Sequence, residues 1–393
     1  MRHTFLLFTL LVAGCSSTNP SSGDAGAQDG AGGDVVNPIS DAAQETSGPD
    51  AALDAGDAGD AAAPIVCGAT VCRADQTCVA GKCAFSCNGF TVPGDYASVQ
   101  AAIDGVATGG NDATICLGDQ TYTEPQVIVR DTGAHGKALR IVGLSMDRSE
   151  ISGSVYWFGG WSAVTFQGVH LAAASNANAL NADMSSAGGK VSLIASRLTG
   201  QSGLMATSGD GKSGEIFLDG CDLAVGAGYA VEVYSNGTGA ITATIQNSYA
   251  HGCGCATSAG TAGVGTVNLS FLGNTIVGCG YGLQLTLGTN LTALYSNDIF
   301  TGVTTTAIQW SGSGTNVTHH HNALWGNAAN YLGTTDGPAY VKGDCLLGTS
   351  GPAPSLQSGS PCRGAGDSAS APPTDFFAVP RSGPTDIGAV QEP

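Results

Sequence analysis

The stretch Ile216-Phe217-Leu218-Asp219-Gly220-Cys221-Asp222-Leu223 decides the fold, because versions of it recur along the chain. Its apolar residues stand at the first, third and eighth positions, with a small or polar residue at the sixth. The spacing of two is that of a strand and not of a helix. Versions of the pattern occupy 164–171, 191–198, 216–223, 243–250, 269–276, 292–299 and 317–324. Thr292 and Ala250 fit loosely, since a larger apolar residue is expected at each. The sixth positions are Val169, Ser196, Cys221, Ser248, Asn274, Asn297 and Asn322. A self-similar period of this length is the signature of a solenoid. A second alternating run, such as Val231–Val233 or Leu283–Leu285, precedes most of these segments, and Gly, Ser, Thr and Asn fill the spaces between. A unit has no room for a crossover helix, so each is a coil of short strands stacked on the next around one continuous core. Asn274, Asn297 and Asn322 are expected to form a hydrogen-bonded ladder in successive turns.

Upstream, Val99, Ala102, Ile103 and Val106 share one face of a short helix with Asp95 or Ser98 as its N-cap, fit to cover the open end of a coil core. Thr91-Val92-Pro93, Ser98-Val99-Gln100-Ala101-Ala102-Ile103, Ala113-Thr114-Ile115-Cys116-Leu117 and Gly118-Asp119-Gln120-Thr121-Tyr122-Thr123-Glu124 follow in order. With the repeat, these segments resemble right-handed parallel β-helix proteins of the pectin-lyase-like fold, over roughly residues 90–330. The resemblance implies an all-β, right-handed parallel β-helix solenoid with a short N-terminal capping helix. Ser360-Pro361-Cys362-Arg363-Gly364-Ala365-Gly366-Asp367 and Pro380-Arg381 through Gln391 resemble the ending of many secreted bacterial β-helix proteins, which implies no activity.

The start of the chain speaks to export. Arg2, the apolar run 5–12 and Val12-Ala13-Gly14-Cys15 form a secretory signal too short to span a membrane permanently. Its end resembles the bacterial lipoprotein lipobox, which implies cleavage before Cys15, lipid on its sulfur and a membrane as partner. Ser16 resembles the rule for transfer to an outer membrane, so the outer membrane or cell surface of a Gram-negative bacterium is the expected location. Residues 16–64 hold nine acids, no Lys or Arg and scarcely any large apolar residue. Such a stretch cannot offset the entropy of ordering and reads as an extended acidic tether. The divisions are a signal at 1–14, a tether at 15–64, a Cys-rich module at 65–88, the β-helix at 89–335 and a C-terminal tail at 336–393. With a net charge of −18 and no basic patch, the chain is not a nucleic-acid binder.

Of 13 cysteines, 12 remain after Cys15, an even number suited to an oxidising compartment. Cys67, Cys72, Cys78, Cys83 and Cys87 crowd a segment with almost no core-forming side chains, which needs staples. Zinc is the rival there, but no C-x-x-C pair and no nearby His support it. Cys87 is expected to pair with Cys116, Cys253 with Cys279 one coil away, and Cys345 with Cys362, leaving Cys221 and Cys255.

A lyase or hydrolase of acidic polysaccharide needs clustered carboxylates, or calcium with a base. Outward positions two before the sixth read Gln167, Ile194, Asp219, Gln246, Leu272, Tyr295 and His320, and those four before it read Thr165, Ser192, Phe217, Thr244, Ser270, Ala293 and Thr318. One carboxylate among fourteen is no calcium site and no acid pair. The position after the sixth places His170, Arg197 and Asp222 on consecutive coils. Arg197 could meet a sugar acid with Asp222 orienting it, but a surface ion pair worth under about 1 kcal/mol is the preferred reading. No cofactor and no metal is expected, with calcium only under the lyase alternative. His319-His320-His321 resembles a metal tract, yet alternation on a strand sends neighbours to opposite faces, His319 to the core. Tyr156, Trp157, Phe158 and Trp161 offer either sugar-stacking rings or packing over the first coil. The expected role is surface binding or structure, with glycans or another surface protein as partner.

Overall fold

The computed structural model describes residues 65–68, 70–109, 111–130, 137–287, 290–312, 316–348 and 352–392. The signal, the lipidation site at Cys15 and the tether therefore lie outside the described residues. No described helix is long and apolar enough to cross a membrane.

The repeat is a parallel β-solenoid. One face is a sheet of 10 strands, from Phe90–Val92 through Ala113–Leu117 and Ala138–Val142 to Val317–His320, each paired with the next coil. The strands of the other two faces belong to one 16-stranded sheet, because the long strand Ser149–Trp157 pairs with both His170–Ala172 and Asn178–Asp183. A single coil is thus Ser213–Asp219, Asp222–Leu223 and Tyr229–Gly237, three strands separated by two bends. Apolar residues align in register down the inside. Leu139, Val164, Val191, Ile216, Ala243, Leu269, Ala293 and Val317 form one column. Stacking makes each coil the lid of its neighbour's core, so burial is continuous along the axis.

The solenoid starts earlier than the seven segments, since Phe90–Val92, Ala113–Leu117 and Ala138–Val142 precede them in the same sheet. The one helix among the described residues, Val99–Ala107, closes that end. Ser98 is its N-cap, its side chain accepting from the Ala101 amide, and Val99, Ala102, Ile103 and Val106 are buried. The far end is closed by rings: His319 lies flat on Tyr295 at 5.0 Å and edge-on to Trp310 and Tyr340.

One coil corrects the sequence register. Leu269 pairs with Ala293, not Thr292. Ala293 and Tyr295 therefore face the core, and both are buried. The outward residues of this coil are Leu294 and Ser296, which align with Ser270 and Leu272. The ladder residue is Asp298, not Asn297. Asn297 instead has φ 59°, in line with Gly168, Ala195, Gly220, Asn247, Gly273 and His321, whose φ values run from 47° to 64°. That bend demands a left-handed residue in every coil, and Asn tolerates it well. In the ladder the Ser248 amide donates to Asn274 Oδ1 (3.0 Å), the Asn274 amide to Asp298 Oδ1 (2.7 Å) and the Asp298 amide to Asn322 Oδ1 (2.9 Å).

Disulfides join Cys67–Cys78, Cys72–Cys83, Cys87–Cys116, Cys253–Cys279 and Cys345–Cys362; Cys221 and Cys255 stand outside these five bonds, both buried. After the last coil the tail turns back and runs as a strap along the outside of the ladder bend. Arg381 donates to Asn247 Oδ1 and to the carbonyl of Gly388, and the Ala389 amide donates to Thr275 Oγ1. Phe376, Ala389 and Val390 pack with Phe85 of the Cys-rich module, Val142, Met146 and Ala195.

Candidate functional site

The residues just past the ladder bend form a row along the axis: Thr121, Glu150, His170, Arg197, Asp222, Tyr249, Thr275, Ile299 and Ala323 pair in succession. The strap covers one end of it. Ile299 and Ala323 lie under Cys345, Cys362 and Ile387, and Tyr249 packs against the cluster that holds Phe376 and Val390. What stays partly exposed is a polar strip from Glu150 to Arg197, bordered by Asp147 and ending on the buried Asp222.

Within it the charges are tightly partnered. Arg197 donates through Nε to Asp222 Oδ2 at 2.6 Å and through a terminal nitrogen to Asp147 Oδ1 at 2.8 Å. Asp222 uses its other oxygen on His251 Nε2 at 3.0 Å. His251 in turn stacks on Tyr249, rings 4.5 Å apart. His170 contacts Glu150 through Nδ1 at 3.0 Å and Thr199 Oγ1 through Nε2 at 2.8 Å.

Burial differs along the strip and corrects the ion-pair reading. The Asp222 side chain is only 6 % exposed and Arg197 25 %, whereas Asp147 is 63 % exposed. A pair this enclosed is not an ordinary surface contact. Burial opposes the charge on Arg197, but Asp222 and Asp147 more than offset it and raise its pKa. Burial lowers the pKa of His170 against the pull of Glu150, which favours a neutral ring near neutral pH. A neutral ring whose Nδ1–H points to Glu150 leaves Nε2 to accept the Thr199 hydroxyl proton. Burial also raises the Tyr249 pKa, keeping the phenol protonated.

Chemically, the strip offers a fixed guanidinium, carboxylates with lone pairs to spare, an imidazole and a stacked ring pair. Two open depressions, of about 300 and 440 Å³, lie beside Arg140 and beside Glu124, and neither is lined by His170, Arg197 or Asp222. The strip lies on the outer side of its sheet, with the side chains of Glu150 32 % and Arg197 25 % exposed.

The sequence marked His170, Arg197 and Asp222, and the register brings them together. It did not mark Asp147, Glu150, Thr199 or His251. Glu150 belongs to the long strand Ser149–Trp157, which crosses two faces without the bend that flags a repeat. Thr199 and His251 lie two residues beyond the row on their strands, so they point to the same side. Among the aromatics, Trp157 and Trp161 are core residues, 0 % and 1 % exposed. Tyr156 and Phe158 form the outer pair, stacked at 5.9 Å.

The chain matches no family model, no curated protein and no solved structure.

Proposed function

We propose that this chain is an exported, lipid-anchored β-solenoid that binds a glycan along the strip from Glu150 to Asp222. The observation that carries the reading is the convergence of His170 and Arg197 on a strip running along the axis, with Asp222 and the Tyr249–His251 pair holding its end. Paired planar side chains held rigid by their neighbours suit the vicinal hydroxyls of sugars, because little rotamer entropy is lost on contact. A row of groups running along the axis suits an extended polymer better than a small metabolite, which favours enclosed pockets. Residues 65–393 hold 22 acids against 12 bases, so a neutral glycan is the favoured class over a uronate. The lipobox at Val12-Ala13-Gly14-Cys15 and the acidic stretch after it support presentation at a membrane surface.

The test is binding of the detergent-solubilised full chain to an immobilised panel of neutral and acidic glycans, wild type against Arg197→Ala. At least a tenfold loss in the variant is expected on whichever neutral glycan binds. Equal binding by both proteins rejects the strip as the site.

One observation favours a second reading, a lyase or hydrolase of acidic polysaccharide: the neutral His170 ring stands beside Arg197, a base next to a group that neutralises carboxylates. Incubation with polyuronates, with and without calcium, separates the two. Appearance of unsaturated-product absorbance favours the enzyme.

A further inference from the structure

At the far end of the solenoid, three side chains of metal-ligating type from two parts of the chain meet. His320 and His321 are sequence neighbours on the last coil, and Asp367 comes from the returning tail. Strand alternation would separate the two histidines, and it does send His319 inward onto Tyr295. His321, however, occupies the left-handed bend position with φ 51°, and this turn brings its ring back to the side of His320. The two Nδ1 atoms stand 3.1 Å apart with the rings nearly perpendicular. His320 Nδ1 lies 3.8 Å from Asp367 Oδ2, and one ligand atom from each residue falls within 4.8 Å of the others.

These spacings are those of a coordination sphere. Ligands about 2.0–2.1 Å from a tetrahedral ion sit roughly 3.4 Å from one another. Two imidazoles and one carboxylate are also a borderline donor set, suited to Zn²⁺ and its neighbours and not to Ca²⁺ or Mg²⁺. The carboxylate is already oriented. Asp367 Oδ2 accepts from Ser370 Oγ at 2.9 Å, and Oδ1 accepts from the Ala369 amide. Ser370 is tied in turn to Ser296 Oγ at 2.8 Å. Asn297 clamps the Asp367 main chain from both sides, donating to its carbonyl and accepting from its amide. Outer partners of this kind orient ligands at built metal sites. These hydrogen bonds hold the Asp367 carboxyl below its ordinary range, and the two histidines beside it act in the same direction. The groups stay reachable: the His320 side chain is 21 % exposed and Asp367 27 %.

We propose that His320, His321 and Asp367 bind one divalent transition-metal ion of the Zn²⁺ class, which fastens the tail to the last coil and leaves a fourth position for water or an outside ligand. The site stands apart from the strip at Arg197 and does not depend on glycan binding.

The experiment is calorimetric titration of the full chain, carrying no polyhistidine tag and stripped with chelator, with ZnCl₂, and with MgCl₂ and CaCl₂ as comparisons. Thermal unfolding is followed with and without Zn²⁺. One Zn²⁺ per chain at micromolar affinity or tighter, a rise in Tm and no response to Mg²⁺ or Ca²⁺ are expected. His320→Ala and Asp367→Asn should each weaken binding at least tenfold and abolish the Tm rise. His321→Asn serves as the third variant, because Asn accepts the left-handed bend and so spares the fold. Co²⁺ should give visible bands with the wild type that these variants lose. Affinity must also fall as pH is lowered, because protons compete with the metal for the imidazole nitrogens. Failure of Zn²⁺ to bind, or binding with unchanged affinity in folded His320→Ala and Asp367→Asn proteins, overturns the proposal.

Discussion

The main-chain amide of Asn274 donates to Oδ1 of Asp298 in the next coil at 2.7 Å, and the Asn274 side-chain amide donates to the same oxygen at 3.1 Å. The other carboxyl oxygen, Oδ2, is buried and meets no donor. Burial pushes the Asp298 carboxyl well above its ordinary range, so the neutral acid stands in an amide ladder as a near isostere of Asn.

Asp298→Asn should therefore stabilise the protein at neutral pH. A carboxyl whose folded pKa is raised contributes its full stability below the unfolded value, about 3.9, and loses it as pH rises through the folded value. The variant has no such loss. Denaturation at pH 4 and pH 8 should show a gap between variant and wild type that widens with pH, reaching about 1–3 kcal/mol. An equal gap at both pH values would contradict the neutral-acid reading.

Along the strip, the two carboxylates on Arg197 should differ in worth. Asp222 is enclosed and holds both Arg197 and His251, so Asp222→Ala should cost roughly 1.5–3 kcal/mol. Asp147 is mostly exposed, and Asp147→Ala should cost under about 1 kcal/mol. Urea unfolding of both variants measures the difference.

Thiol chemistry checks the core. Burial pushes the Cys221 thiol up to about 12, and its sulfur packs against the carbonyls of Leu193 and Asp219; Cys255 is buried as well. A thiol reagent should find neither in the folded protein at pH 8. In denaturant without reductant it should find both, besides any thiol at Cys15. Reaction of Cys221 before unfolding would place it outside the core.

The strap depends on Gly388, at φ 108°. A Cβ there would lie 2.6 Å from Ile299 Cδ1 and 3.0 Å from Thr275 Oγ1. Gly388→Ala should lift the strap at a cost of about 1–3 kcal/mol. Limited proteolysis should then cut within 372–392 before the solenoid melts.

Most of the solenoid could be read from strand spacing and the repeat period, because stacking forces the same side of each strand inward. The slip at Ala293 has a local cause. Asn suits both the ladder and the bend, so Asn297 looked like a ladder residue. Asn247 already held the bend position two coils earlier and was the available signal. The polar strip was half visible for a different reason. Row neighbours follow from the period, but Asp147 arrives from a turn, which no repeat encodes, and Glu150 sits on the long strand that lacks the repeat's bend. The convergence of His320 and His321 was hidden because alternation holds only within a strand, and His321 lies past its end.

The tail also closes a loop with the start of the described chain. The Arg73 guanidinium donates to the carbonyl of Phe376, and the Ala74 amide donates to that of Phe377 at 2.9 Å. In a stack whose coils touch only their neighbours, windings can peel from either end independently. Here the start of the described chain is buckled to the strap, and the strap to several coils at once, through Ala195, Asn247 and Thr275. Peeling a winding in this part of the stack therefore requires the strap to let go as well.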